Sequence, residues 1–270
     1  MPETNESSTS RPDISIVLIH FRMQELLFRC LDSIVKKNWL SSYEIIVVHK
    51  GSGDDTAALL RVIYPRVIVL PCEQFGIARS RNIGIRTARG RHLLMLDIDT
   101  LVLDEALDRL VAFMDRRPAC GAAGAKLLDP DMSVQYSCRR FYTLSAVLYR
   151  RTPLARLFPR AQALRDHLMM DFDHAREREI DWMQGACFLM RREAVENVGL
   201  FDERYVFGFE DVDWCFRAKR KGWKVHYIPD ARVIHDYRRS SARLFSINAF
   251  RHLKSGLYFW AKHHVLGREP

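Results

Sequence analysis

The chain has 270 residues, 48% of them hydrophobic, with 42 Lys and Arg against 33 Asp and Glu for a formal net charge of +9. These proportions exclude a disordered or fibrous chain, and the length suits one large domain or one domain with a small addition. The basic excess favours phosphate-bearing ligands, nucleic acid or an anionic membrane surface, beside the plainer reading of a solvated basic face.

Residues 1–12, "MPETNESSTSRP", are polar and lack the apolar core of a signal peptide, so they read as a disordered leader. "DISIVLIHF" follows, a continuous apolar run of the kind buried on both faces of a parallel sheet. Leu26, Leu27, Cys30, Leu31 and Ile34 then recur at helical spacing. The strand "YEIIVVH", the loop "KGSGDD", a helix ending near Arg61 and the strand "RVIVLP" come next. "GIARSRNIGIRTARG" reads as a helix closed by Gly90, and "HLLMLDID" as another buried strand. Strand and helix alternate throughout 13–99, which predicts a doubly wound, mostly parallel α/β sheet with ligands beyond the carboxyl ends of its strands.

A helix over 104–116 leads to "CGAAGAKLLDP", a strand and a turn. Residues 137–181 are basic at first, have little periodicity, and read as an excursion beside the site. "WMQGACFLMRREAVENVG" runs from strand into helix, and "KVHYIPDARVIHD" holds the last one or two strands. Between them, Val212, Cys215, Phe216 and Lys219 predict a helix over 211–221 with a left-handed cap at Gly222. Asp213 and Arg217 are spaced to pair at i, i+4. In the last segment Leu244, Ile247, Phe250, Leu253, Leu257 and Trp260 form an apolar stripe on a basic helix. Such a helix suits an anionic membrane surface, and equally suits packing on the domain or on a second subunit. No run reaches the length of a membrane span, so any membrane contact is peripheral. Six scattered cysteines without a CxxC pair argue against a disulfide frame and for a reducing, cytoplasmic setting.

Chemistry concentrates in "LDID", where Asp97 and Asp99 stand at i, i+2 at a strand end and can point together into the crevice. Paired oxygen ligands there suit Mn²⁺ or Mg²⁺ completed by diphosphate oxygens. The order of "EIIVVHKGSGDDT", "FGIARSRNIGIRTARGRHLLMLDIDT" and "GACFLMRREAVENVGLFDERYVFGFEDVDWCFRAKRKGWKVHYIPDARVIH" resembles the family 2 inverting glycosyltransferases of GT-A fold. The rhamnosyltransferase-like members of bacterial polysaccharide and O-antigen synthesis are especially similar. The resemblance implies a GT-A domain over 13–236, with a nucleotide-sugar half (13–100), an acceptor and catalytic half (101–236), and a helical extension over 237–270. It implies Asp211 as general base, Asp97 at the donor ribose, and Asp99 with His235 as metal ligands. Arg79 and Asn82 match a donor-binding pattern, and Trp182 with Glu210 fall on the acceptor side, although Trp182 reads equally as a core residue. His20 and His49 occupy donor-base positions where family members carry other polar residues. The partners implied are a nucleoside-diphosphate sugar and a glycan or lipid-linked glycan acceptor. The altered His49-Lys50 pair keeps open a catalytically inactive nucleotide-sugar or glycan-binding module. A nucleic-acid role is disfavoured, since no recognition motif accompanies the charge.

Overall fold

A computed structural model describes residues 11–51, 53–73, 76–143, 161–236 and 247–263. Of the expected leader, 1–10 lie outside the described residues, as do 144–160 of the excursion and Leu244 of the C-terminal stripe.

The first half builds four parallel strands, β1 (Ile14–His20), β2 (Tyr43–Lys50), β3 (Ile68–Cys72) and β4 (His92–Leu96). Helices α1 (Gln24–Val35), α2 (Thr56–Ile63) and α3 (Ile77–Thr87) connect them. A short β5 (Thr100–Val102), which the sequence reading missed, precedes α4 (Ala106–Arg116) and β6 (Cys120–Leu128). Then come β7 (Cys138–Arg139), α5 (Gln162–His167), β8 (Arg178–Ile180), β9 (Trp182–Met183), β10 (Cys187–Arg191) and α6 (Arg192–Val198). The chain continues through α7 (Glu210–Arg220), β11 (Lys224–His235) and α8 (Ile247–His263).

The main sheet runs β3-β2-β1-β4-β10-β6-β11-β5, with β8 also on β11. Only β10, β5 and β8 run against their neighbours, so the sheet is largely parallel. "KVHYIPDARVIH" is one strand with a register shift between Ile228 and Arg232, where Pro229 has no N–H to donate to the ladder.

The unbroken apolar runs are explained by two cores, one on each face of the sheet. Ile14, Ile16, Leu18, Leu94 and Leu96 face α1 and α4, while Val17, Leu93, Met95 and Phe188 face the layer holding α3 and α7. α3 lies so close to the sheet that a Cβ on Gly84 would sit 2.3 Å from Val17 Cγ1. Gly90 does not close α3, which ends at Thr87; its missing side chain instead admits the Ser15 backbone, 2.5 Å from a built Cβ. Gly222 does cap α7 in the left-handed region at φ 83°, with Trp223 N–H donating to Ala218 O at 3.0 Å.

The described part of the excursion is not loose. Met169 and Phe172 are buried, β7 pairs with β9, and Lys126 Nζ and Tyr227 OH both donate to His174 O.

Candidate active site

β4 ends at Leu96, so Asp97 and Asp99 are not placed by the pleat of a strand as their spacing suggests. They sit in a turn into β5, closed by Thr100 Oγ1 donating to Asp97 O at 2.6 Å. β5 pairs with β11, and the Thr100–His235 register sets His235 beside that turn. One ligand atom each of Asp97, Asp99 and His235 lies within 4.8 Å of the others. His235 Nε2 stands 3.6 Å from Asp99 Oδ1.

The orientation of the His235 ring follows from Gln135. The Gln135 amide nitrogen donates to Asp129 Oδ1 and to His235 O, both at 2.6 Å, so its oxygen is the acceptor turned to His235 Nδ1 at 3.0 Å. Nδ1 therefore carries a hydrogen, and Nε2 is the ring atom turned to Asp99. That is the arrangement of a histidine ready to ligate a metal. Burial first, then the Asp97 carboxylate, pushes Asp99 up to about 6. Two crowded carboxylates and an oriented imidazole fit a hard or borderline divalent cation, whose charge would relieve the repulsion.

The second half of the site is the start of α7. Gly208 and Phe209 both take left-handed φ values of 72°, and this double bend turns the chain from the 205–207 segment into the helix. Asp211 Oδ2 accepts from Gly185 N–H at 3.2 Å and Oδ1 from Val212 N–H at 2.8 Å. Glu210 beside it is 4% exposed.

Arg81 joins the two halves. It donates through Nη1 to Glu210 Oε1 at 3.1 Å, and through Nη2 to Asp97 Oδ1 at 3.4 Å and Gly185 O at 2.9 Å. Burial works against its cation, but Glu210, Asp97 and Asp211 hold the guanidinium above its ordinary pKa. Burial, then Asp211, pushes Glu210 up to about 7 against the pull of Arg81. Burial also raises Asp211, opposed by Arg81 and by its two backbone donors. A carboxylate raised in this way is a better proton acceptor than a solvated one.

Arg81 was absent from the sequence reading, which selected Arg79 and Asn82 from the same helix. Those two are taken up elsewhere. Asn82 is buried, donating to Phe201 O and Glu203 Oε1 and accepting from Phe201 N–H, while Arg79 pairs with Glu203 at 3.0 Å. Both hold the 201–203 segment and do not join the carboxylate cluster. Trp182 is 5% exposed, donates to Arg140 O and lies along Tyr142, as a core residue would. Glu210, called to the acceptor side, is buried against Arg81 at 3.1 Å.

His20 and His49 end β1 and β2 in direct register. Their Nδ1 atoms are 3.0 Å apart, with centroids 5.2 Å apart and planes within 10°, the dimensions of two rings bonded edge to edge. Met23 N–H donates to His20 Nε2, so His20 Nδ1–H donates to His49 and leaves His49 its hydrogen on Nε2. Burial and then His49 push His20 down to about 4, which keeps it neutral.

A family model described as "Glycosyltransferase like family 2" matches residues 12–253. The chain belongs to this family. It is 31% identical over 244 residues to the N-acetylglucosaminyl-diphospho-decaprenol L-rhamnosyltransferase of Mycobacterium tuberculosis, covering 82% of this chain and 75% of that protein. It is 26% identical over 203 residues to rhamnosyltransferase WbbL of Escherichia coli K12, covering 71% and 72%. Among solved structures it resembles GalNAc-T7 with UDP, GalNAc and Mn²⁺, with a TM-score of 0.66 at 17% identity. That match covers 97% of this chain and 52% of the GalNAc-T7 chain, so this chain spans about half of that protein. The fold is that of the GT-A glycosyltransferases, and the chain is a transferase of that family.

Proposed function

We propose that this chain is a metal-dependent, inverting glycosyltransferase that moves a sugar from a nucleoside-diphosphate donor to a hydroxyl of a glycan or lipid-linked glycan in bacterial surface-polysaccharide synthesis. The observation that carries the reading is the bridge through Arg81 between the Asp97–Asp99–His235 cluster and the Glu210–Asp211 start of α7. It holds the proposed cation ligands and the proposed base, whose pKa burial raises, around one buried guanidinium.

Asp99 and His235 would hold Mn²⁺ or Mg²⁺, with Asp97 at the donor ribose. When bound, such an ion neutralises charge on the departing diphosphate. Asp211 removes the proton from the acceptor hydroxyl as its oxygen attacks the anomeric carbon. The bond from that carbon to the diphosphate oxygen breaks, and its electron pair leaves with the nucleoside diphosphate. A single displacement inverts the anomeric centre. Arg81 offsets charge on Glu210 and Asp97, and the Gly185 N–H aims Asp211 and favours its ionised form against the burial that raises it. The His49 Nε2–H supports a contact to a carbonyl edge of the donor base.

The rhamnosyltransferase relatives make a rhamnose donor the first to test, and the name of the mycobacterial relative makes a polyprenyl-diphosphate sugar the first acceptor. The test supplies Mn²⁺ or Mg²⁺, a panel of dTDP-, UDP- and GDP-sugars and that acceptor, and measures nucleoside diphosphate released. Asp211→Asn is expected to lower turnover by about 100-fold or more. Turnover unchanged in that variant, or no turnover of any donor, sinks the reading.

A further inference from the structure

The apolar stripe of α8 divides between two faces. Phe259, Ser255 and His263 turn inward: Phe259 is 1% exposed, Ser255 Oγ donates to Phe207 O, and His263 Nε2 meets Asp213 Oδ1 at 2.8 Å. Phe250, Leu253 and Leu257 turn outward and are 69%, 53% and 56% exposed. Exposed Lys254 lies among them, and exposed Ala261 continues the row at the next turn. Three large apolar side chains at i, i+3 and i+7 on an outward helix face form a patch that water solvates poorly.

Charge narrows what covers it. From residue 237 onward the sequence holds seven Lys and Arg against the single acid Glu269, a net +6. An apolar row within a strongly basic segment is the pattern of a helix lying in the headgroup layer of an anionic bilayer. No helix among the described residues is long and apolar enough to cross a membrane, so the contact would be on one surface. The same helix touches the active-site bend, since His252 packs against Gly208 and Phe209 two residues before Asp211. A bilayer under α8 therefore lies beside the start of α7.

We propose that the outward face of α8, through Phe250, Leu253, Leu257 and Lys254, docks on an anionic phospholipid surface and sets the site at the bilayer. The lipid-linked acceptor of the preceding section would there reach Asp211 without leaving the membrane. That last step rests on the proposed function, whereas the docking itself does not.

The test is co-sedimentation of the full chain with vesicles of phosphatidylcholine alone, and of phosphatidylcholine with phosphatidylglycerol. The wild-type chain is expected to bind the anionic vesicles, to bind the neutral ones weakly, and to release as salt rises. Phe250→Ser, Leu253→Ser and Leu257→Ser together are expected to weaken binding by about ten-fold or more. The variant's melting temperature and its nucleoside diphosphate release without vesicles are expected to stay at wild-type values. No binding by the wild type, or equal binding by the variant, overturns the proposal. A wild-type dimer that the triple substitution converts to monomer overturns it in favour of a second copy of this chain. Absence of donor turnover in both proteins defeats the enzymatic reading and leaves the vesicle result to decide the docking.

Discussion

Arg81 has to reach two carboxylates and a carbonyl at once, and only a residue without a side chain at 185 lets it do so. A Cβ on Gly185 would stand 2.7 Å from Arg81 Nη1. Gly185→Ala is therefore expected to displace the guanidinium and cut turnover by about 100-fold, while circular dichroism and melting show a folded chain. Retention of full turnover would show that the bridge is dispensable. Gln135 poses a separate test, because it orients the His235 ring through Nδ1. Gln135→Leu is expected to weaken Mn²⁺ binding by about 10- to 100-fold, read by calorimetric titration. Equal affinity in wild type and variant would remove Gln135 from the site. The Asp97–Asp99 pair could be singled out because acids after a buried strand are visible in one dimension, whereas His235 came only with the family resemblance. Arg81 could not, because its partner Gly185 O lies 104 positions away. Sequence spacing groups Arg79 with Asn82 on one helix face, and only the fold reveals that this face meets the 201–203 segment.

α7 and α8 are held together by one buried carboxylate. Asp213 pairs with Arg217 as its spacing predicts, and also receives Tyr205 OH at 3.1 Å, Lys262 Nζ at 2.6 Å and His263 Nε2 at 2.8 Å. Although burial opposes its charge, His263, Arg217 and Lys262 hold Asp213 down to about 2, below its model-compound value of 3.8. The group is depressed in the folded chain, so its contribution is complete above about pH 4 and is lost as pH falls through about 2. Its size is about 2 kcal/mol, from the depression of the carboxyl. Asp213→Asn is expected to lower stability near pH 7 and to flatten the acid limb of a denaturation profile between pH 4 and 2. An acid limb as steep as in the wild type would assign that loss to other carboxylates. The period of α7 was readable because its apolar positions repeat, and so was the Gly222 cap. The outward turn of the Phe250 row was not, because Phe259, Trp260, Phe250 and Leu257 offer two apolar faces of comparable strength and only the partner surface chooses between them.

At the scale of the whole molecule, the site draws its parts from the β4–β5 turn, the end of β11, α3 and the start of α7. A ligand that binds this assembly binds only the folded chain, so Mn²⁺ with the matching nucleoside diphosphate should raise the unfolding temperature. At a hundredfold excess over Kd the gain is about 2.7 kcal/mol, or roughly 5–10 °C at the roughly 2–4 °C per kcal/mol of a chain of this size. Asp99→Asn should remove most of the shift. A wild-type chain whose melting is indifferent to every metal–nucleotide pair would argue against a preformed donor site. The alternating first half was legible as a parallel sheet because buried strands with helical crossovers leave continuous apolar runs. The second half was less so, because β10 inserts antiparallel between β4 and β6 and an apolar strand carries no mark of its direction.

The clamp that α8 places on Asp213 also bears on where this protein can be cut. The family match ends at residue 253, within α8, and the last sheet strand ends at His235. A gene shortened at either point still encodes all nine strands of the sheet, Asp99 and His235. It discards Phe259, Lys262 and His263, and with them the weight that steadies the Gly208–Phe209 bend. A chain cut at either point is therefore expected to lose that support, and working boundaries belong beyond His263. A library or fusion built on shorter boundaries would yield a chain able to hold donor and slow to use it.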